Sequence, residues 1–531
     1  MPITYLSTRG GETGLRFEQV VLGGLAKDKG LYIPESIPKM SIKEIEMMRS
    51  MTYSQLAYKV ICQFVDSSDI PSENLKDIVN RSFSKFRHDD VTPTIKKDNY
   101  WVLELFHGPT FAFKDVALQF LGNIFEYFLE KGNIQNKITI LGATSGDTGS
   151  AAIHGLRGKK NVNCFILYPT GKVTTIQEKQ MTSILDENVQ CISLPTDFDG
   201  CQAIVKSAFA DEDFRNEVKL GAINSINWAR VLAQITYYFY SWLRATDAMD
   251  PNHIPKLSFV VPTGNFGDIL AGYYAKQMGL PVDKLVVATN TNDVLHRFLE
   301  SGSYRKDPSI VTIAPSMDIS VSSNFERYLF YLAGNATTLK RWMDEFESTG
   351  VLKVNDTILK KAKEDFSSSS CNEKQIIDTM VEEYQRQSYW VCPHTATAVY
   401  AIEKLNLSAP TTICLATAHP AKFEQAVRMT MSRVGVTELP KRPDPLEQLF
   451  SMSTRSTTLR ASLPSVQAFM RRTMEPSLHR MENALSFVGG SIGADVGAWF
   501  DENPTYSWLS TFATVSVLGY FMMSHIQLKN R

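Results

Sequence analysis

The chain has 531 residues and 59.6 kDa, room for several domains of roughly 100 to 200 residues or one large multi-lobed enzyme. Hydrophobic residues make up 44% and charged residues 21%, which excludes the disordered, collagen-like and multi-spanning membrane classes. Lys plus Arg number 55 against 56 Asp plus Glu, a net charge of -1, so the basic excess that grips nucleic-acid phosphates is absent and nucleic acid is not expected as a partner.

In chain order, MPITYLSTRGGETGLRFEQ reaches a Gly-Gly pair and acidic residues too early for a signal-peptide core, so a cytoplasmic location is expected. Residues 1–95 carry helical patterns (SIKEIEMMRSMTYSQLAYKVICQFV, NLKDIVNRSFSKF) and predict an N-terminal helical lobe that ends near Pro93. Over residues 96–438, short β-branched runs meet polar glycine loops and then helices: ITILG with ATSGDTGS, LSFVVP with TGNFGD, TTICLA with TAHPAK. That alternation predicts an α/β region in two lobes, with sheets flanked by helices and the three loops gathered at the carboxyl edges of the strands. The apolar helical segments ALQFLGNIFEYFLEKG and VLAQITYYFYSWLRA are expected in the core.

The run Ser367–Ser370 reads as a loop between helices. From Leu439 the texture changes, and residues 439–531 are expected to form an atypical extension that wraps the surface. Within it, residues 505–528 contain no Asp, Glu, Lys or Arg and are long enough to cross a bilayer core, so they are a candidate membrane tether, with a buried helix as the alternative. Seven cysteines form no CxxC pair, which points to a reducing compartment. His107 and His419 have no metal-ligand spacing, so structural hydrogen bonds are expected and no metal.

Three loops carry chemistry. Lys114 in HGPTFAFKDVALQF stands at an expected helix start among Phe111, Ala112, Phe113, Val116 and Ala117. Apolar surroundings disfavour an ammonium and leave a nucleophilic amine of the kind that Schiff-base chemistry needs. Thr144, Ser145, Gly146, Asp147, Thr148 and Gly149 lie between a strand and a helix, where hydroxyls and backbone N–H groups suit a carboxylate or phosphate; a plain helix cap is the alternative. Gly264, Asn265, Phe266 and Gly267 occupy a similar turn, able to wrap a phosphate at a helix start; a tight structural turn is the alternative. A reactive lysine with two anion loops fits pyridoxal phosphate, which needs an amine for its aldehyde and a cradle for its phosphate.

At this point STRGG, HGPTFAFKD, ATSGDTGSAA, SINWARVLAQ, PTGNFGDILAGYYAK and TAHPAKF, in that order, resemble the threonine synthases of fungi and bacteria, which are pyridoxal-phosphate lyases. The likeness runs from about Tyr5 to about Val436, and the last stretch of the chain departs from the family pattern. The resemblance implies a tryptophan synthase β-like fold and an aldimine of the cofactor on Lys114. It also implies that Gly264, Asn265, Phe266, Gly267 and Asp268 hold the cofactor phosphate region, and that Thr417 meets the pyridine nitrogen. Residues Thr144 to Gly149 look like the clamp for the substrate's α-carboxylate. The implied reaction turns O-phospho-L-homoserine and water into L-threonine and phosphate, with Lys114 moving the protons. Arg9, Arg157, Lys159 and Lys160 are candidates for the substrate phosphate. The competing readings are a related phospho-lyase that releases 2-oxobutyrate and ammonia, and a non-catalytic relative tethered to a membrane.

Overall fold

The computed structural model describes residues 3–132, 137–221, 223–247, 249 and 255–474. The candidate tether at 505–528 lies outside the described residues. Residues up to Ser465 form one compact unit, and a second begins at Val466.

In the N-terminal part, strand Tyr5–Ser7 pairs antiparallel with Tyr32–Pro34. Helices Ile42–Glu46 and Tyr53–Ile61 start at Ser41 and Thr52, each closed by a reciprocal capping box, which satisfies amides that the first turn cannot bond internally. Helix Ser72–Phe83 follows. Tyr53 packs edge-on against Phe83 and Tyr240, and Tyr5 against Trp228. These aromatic pairs seat the N-terminal helices on the long helix Trp228–Ala245.

Two sheets organise the rest. The larger has six strands in the order Phe366–Ser370, Val282–Thr289, Leu257–Pro262, Thr412–Ala416, Trp101–Glu104 and Thr94–Lys96. All its pairs are parallel except the last. The second has five parallel strands in the order Thr457–Thr458, Val189–Leu194, Val162–Pro169, Ile138–Ala143 and Leu220–Gly221. Strands buried on both faces read as continuous apolar runs, as in LSFVVP, every residue of which is buried. Helices Lys114–Lys131 and Trp228–Ala245 pack together with most of their side chains buried. Parallel pairing puts the loops after Trp101–Glu104, Leu257–Pro262 and Thr412–Ala416 at one edge of the larger sheet, so neighbours in space come from three distant parts of the chain.

Two expectations change. The serine run is the edge strand Phe366–Ser370, aligned with Leu285–Thr289. Serine is a weak strand former, but the ladder takes the backbone while the hydroxyls find partners: Ser368 bonds His296 Nδ1 at 2.8 Å and Ser370 donates to the Asn290 carbonyl at 3.0 Å. Residues just after 439 do not merely wrap the surface. Asp444–Gln448 is a helix, and Thr457–Thr458 adds a strand to the five-stranded sheet. Arg455 fixes that strand by donating to the carbonyls of Asp186 and Val189 at 2.6 and 2.8 Å.

Candidate active site

The segment from Glu104 to Lys114 leaves the larger sheet and is pinned before it enters the helix. The Phe113 N–H donates to the Thr417 carbonyl at 2.8 Å, and the His419 N–H to the Phe111 carbonyl at 3.1 Å. Arg87 stacks over the Phe111 ring at 4.0 Å and donates to the carbonyls of Gly108 and Pro109. Asp115 closes the turn by accepting from the Thr110 N–H and hydroxyl, each at 2.8 Å. Lys114 is thereby set as the first residue of helix Lys114–Lys131. The residue as a whole is half-buried, while its amine is enclosed. Burial lowers its pKa to about 8 against the raising effect of Asp147, and Arg230 and Lys422 lower it further.

Gly264–Gly267 follow strand Leu257–Pro262 and open helix Gly267–Met278. Phe266 takes a left-handed conformation with φ of 61°, and its buried ring packs against Phe325 and Phe366. Anchoring that ring in the core holds the loop's backbone in place. A second loop braces it: Ser322 donates to the Gly264 carbonyl at 2.7 Å, Ser323 to Asn265 Oδ1 at 3.1 Å and Asn324 Nδ2 to the Asn265 carbonyl at 2.9 Å. The Asp268 carboxyl turns away, held by the hydroxyls of Tyr237 and Tyr238 at 2.6 and 2.8 Å. Its burial raises its pKa to about 6, against those two bonds. Any contact of Asp268 to an anion is therefore through its backbone amide.

The third loop carries a buried charge cluster. Thr144 Oγ1 accepts from the amides of Gly146 and Gly149 at 2.9 and 2.8 Å, so its lone pairs hold the loop's own backbone. Gly146 stands at φ 134°, and a Cβ there would lie 2.3 Å from the Gln177 side chain; only glycine fits. Asp147 forms an ion pair with Lys422 at 2.7 Å, the two side chains being 4% and 0% exposed. Gln177 donates to its Oδ1 at 2.9 Å and Ser316 Oγ to its Oδ2 at 3.1 Å. Lys422 also donates to the Thr110 carbonyl at 2.7 Å. Ser145 and Thr148, together with the first amides of helix Asp147–Leu156, are what this loop has left for an incoming anion.

Three features show that these residues fit pyridoxal phosphate. Lys114 supplies a buried amine of lowered basicity. Gly264 forms a tight cradle, since a Cβ there would come within 3.1 Å of the Ser316 carbonyl oxygen. Arg230, 5% exposed, carries a buried Nη1 with no hydrogen-bond partner, and its charge reaches Lys114. A buried Nη1 with no partner among the described residues suits an anion, of the cofactor or of its substrate. Thr417 is buried at the end of strand Thr412–Ala416, one strand away from each of the other two loops.

Comparison with known proteins gives the same picture. Residues 4–83 match the model of the threonine synthase N terminus, 87–338 that of pyridoxal-phosphate dependent enzymes, and 395–470 that of the threonine synthase C-terminal region. The threonine synthase of Schizosaccharomyces pombe is 48% identical over 81% of this chain and 90% of its own length. The chain belongs to the threonine synthase family. The Saccharomyces cerevisiae threonine synthase is 45% identical over 90% of this chain and 98% of its own. A crystal structure of threonine synthase from yeast superposes with a TM-score of 0.85 at 43% identity, covering 89% of this chain and 99% of that one. A pyridoxal-phosphate-bound threonine synthase from Brucella melitensis gives 0.83 at 39%, covering 89% and 99%.

Three of the four basic residues singled out from the sequence are engaged by carboxylates. Arg9 is paired with Glu326 and Glu347, Arg157 with Asp186 and Lys159 with Glu126, while Lys160 is exposed. Sequence reasoning missed Arg230 and Lys422, although both lie inside quoted motifs, SINWARVLAQ and TAHPAKF. It also missed Gln177, Ser316 and His394. His394 is held neutral, its pKa pulled down to about 3 by burial against the raising effect of Asp147, and its Nε2 accepts from the Ser316 N–H at 3.1 Å. His107 and His419 serve locally: His107 Nε2 bonds Glu104 at 2.7 Å, and His419 Nδ1 accepts from the Ala421 amide at 3.2 Å.

Proposed function

We propose that this chain is a pyridoxal-phosphate-dependent threonine synthase that converts O-phospho-L-homoserine and water into L-threonine and phosphate. The observation that carries the reading is the buried Lys114 amine placed among Asp147, Arg230 and Lys422 in a chain that matches threonine synthases over most of its length. When bound, the cofactor supplies an electron sink that acidifies the carbon–hydrogen bonds next to the substrate's amine.

The amides of Gly264–Asp268 at the start of their helix would hold the cofactor phosphate. The Thr417 hydroxyl would meet the pyridine nitrogen, a neutral partner that leaves proton movement to Lys114. Ser145, Thr148 and the first amides of their helix suit the substrate's α-carboxylate. Arg230, whose Nη1 has no partner among the described residues, suits the substrate's phosphate, the remaining anion of the reaction. Lys114 takes the α proton and gives it up before taking a β proton; it then protonates the γ carbon after phosphate has left and, once water has added at the β carbon, the α carbon. An amine with a pKa near 8 can accept and release a proton in the same pH range, which is what a shuttle requires.

Supplied with O-phosphohomoserine, the enzyme should release phosphate and threonine in equal amounts. Phosphate accompanied mainly by 2-oxobutyrate would refute this reading in favour of the phospho-lyase. The threonine synthase-like 2 protein of Pongo abelii is 37% identical over 86% of this chain and 94% of its own, less than the fungal synthases. A cytoplasmic location, and a tether through residues 505–528, belong to the same proposal. They are tested by partition of the full chain, and of a chain ending before residue 505, between membrane and soluble fractions.

A further inference from the structure

Asp147 is clamped more heavily than a substrate-binding loop requires. Its two oxygens take Lys422 at 2.7 Å, Gln177 at 2.9 Å and Ser316 at 3.1 Å. These partners come from the short turn Pro420–Lys422, helix Thr175–Thr182 and the turn Pro315–Met317. Three separated pieces of chain thus converge on one buried carboxylate. Lys422 is in turn fixed to the Thr110 carbonyl at 2.7 Å, in the turn that delivers Lys114.

The charged groups around Lys114 are Asp147, Arg230 and Lys422. Around Asp147 stand Lys422 and Lys114, with His394 close by and neutral. Lys422 further reaches Asp115 and the neutral His154 and His419. Among the described residues Asp147 is the carboxylate that favours an ammonium on Lys114, while Arg230 and Lys422 oppose it.

We propose that Asp147 is the fixed counter-charge of the Lys114 ammonium and that Lys422 is its holder, two positioning residues that make the shuttled proton rest on Lys114 and not on the carboxylate. The inference rests on the reading of Lys114 as the proton shuttle. Burial by itself would raise the Asp147 pKa, but Lys422, Lys114 and Gln177 outweigh it and hold the carboxyl well below the ordinary range. A proton taken from the substrate cannot settle there. A carboxylate already filled by these donors also has little capacity left for substrate, so Asp147 serves the α-carboxylate loop through its backbone.

The test uses holoenzyme variants Asp147→Asn, Lys422→Met and the double variant, with Lys422→Arg as the conservative control. Two readouts are taken across pH: kcat and KM, and the visible absorbance of the bound cofactor in the resting enzyme. Asp147→Asn removes the group that favours the ammonium, so both midpoints should fall by about one pH unit; Lys422→Met removes a like charge, so both should rise by about one. The double variant should return towards the wild-type midpoint, because opposite charges leave together, and Lys422→Arg should hold it. Shifts of the same sign, or no shift with cofactor retained, would overturn the proposal. So would a rise in KM alone for Asp147→Asn, which would make Asp147 a substrate contact. If Lys422→Met does not retain cofactor, the Asp147→Asn absorbance midpoint decides alone. Wild-type enzyme that makes threonine while these shifts are absent loses only this inference; wild-type enzyme that makes none loses the proposed function.

Discussion

Arg230→Met is the substitution on which stability and catalysis should move in opposite directions. Arg230 is buried with no partner for Nη1, and burial lowers its pKa from 12.5 to about 10. Carrying the charge therefore costs the unliganded fold on the order of 3 kcal/mol. Because the pKa of this base is depressed on folding, the cost is fully present at every pH below about 10 and fades only above it. Methionine fills a similar length without charge, so the variant should be more stable at pH 7 by about 1–3 kcal/mol, discounting for imperfect packing. The substrate should lose one or two charge-assisted hydrogen bonds to its phosphate at ~1.5–3 kcal/mol each. That corresponds to a fall in kcat/KM of roughly 10- to 10⁴-fold. Thermal or urea unfolding of the unliganded protein, set beside phosphate release from O-phosphohomoserine, measures both. A variant that is destabilised and loses activity in proportion would refute the anion-site reasoning; so would unchanged kcat/KM.

Lys114→Ala should carry no cofactor after borohydride reduction, whereas the parent chain should be labelled at Lys114, as peptide mass spectrometry can establish; an adduct surviving at another residue would remove the assignment. Gly264→Asp puts a Cβ 3.1 Å from the Ser316 carbonyl oxygen and a negative charge where a phosphate is to bind, so cofactor should be lost on gel filtration while far-ultraviolet circular dichroism stays unchanged. Gly146→Ala meets both a φ of 134° and the Gln177 side chain at 2.3 Å; we expect a loss of at least ~2 kcal/mol of stability, measured by urea unfolding, and an unperturbed midpoint would show that the loop relaxes freely.

The local settings of Lys114 and of the glycine loops were legible in the sequence. Lys114 could be singled out because its apolar neighbours lie within three residues of it, and the glycine loops because a strand, a turn and a helix start succeed one another within short windows. Local patterns misread Ser367–Ser370, where hydrogen bonding to Leu285–Thr289 overrides a composition that resembles a loop. What only the tertiary structure decided is which charges face one another. Asp147 and Lys422 are paired at 2.7 Å across a long stretch of sequence, and Ser322–Asn324 brace Gly264 and Asn265 from another loop. Arg9 and Arg157, equally basic as letters, are neutralised by carboxylates elsewhere, while Arg230 has no carboxylate partner among the described residues. The side chain's identity sets which ion it can be; burial and the partner the fold delivers set its charge state and what remains for it to bind.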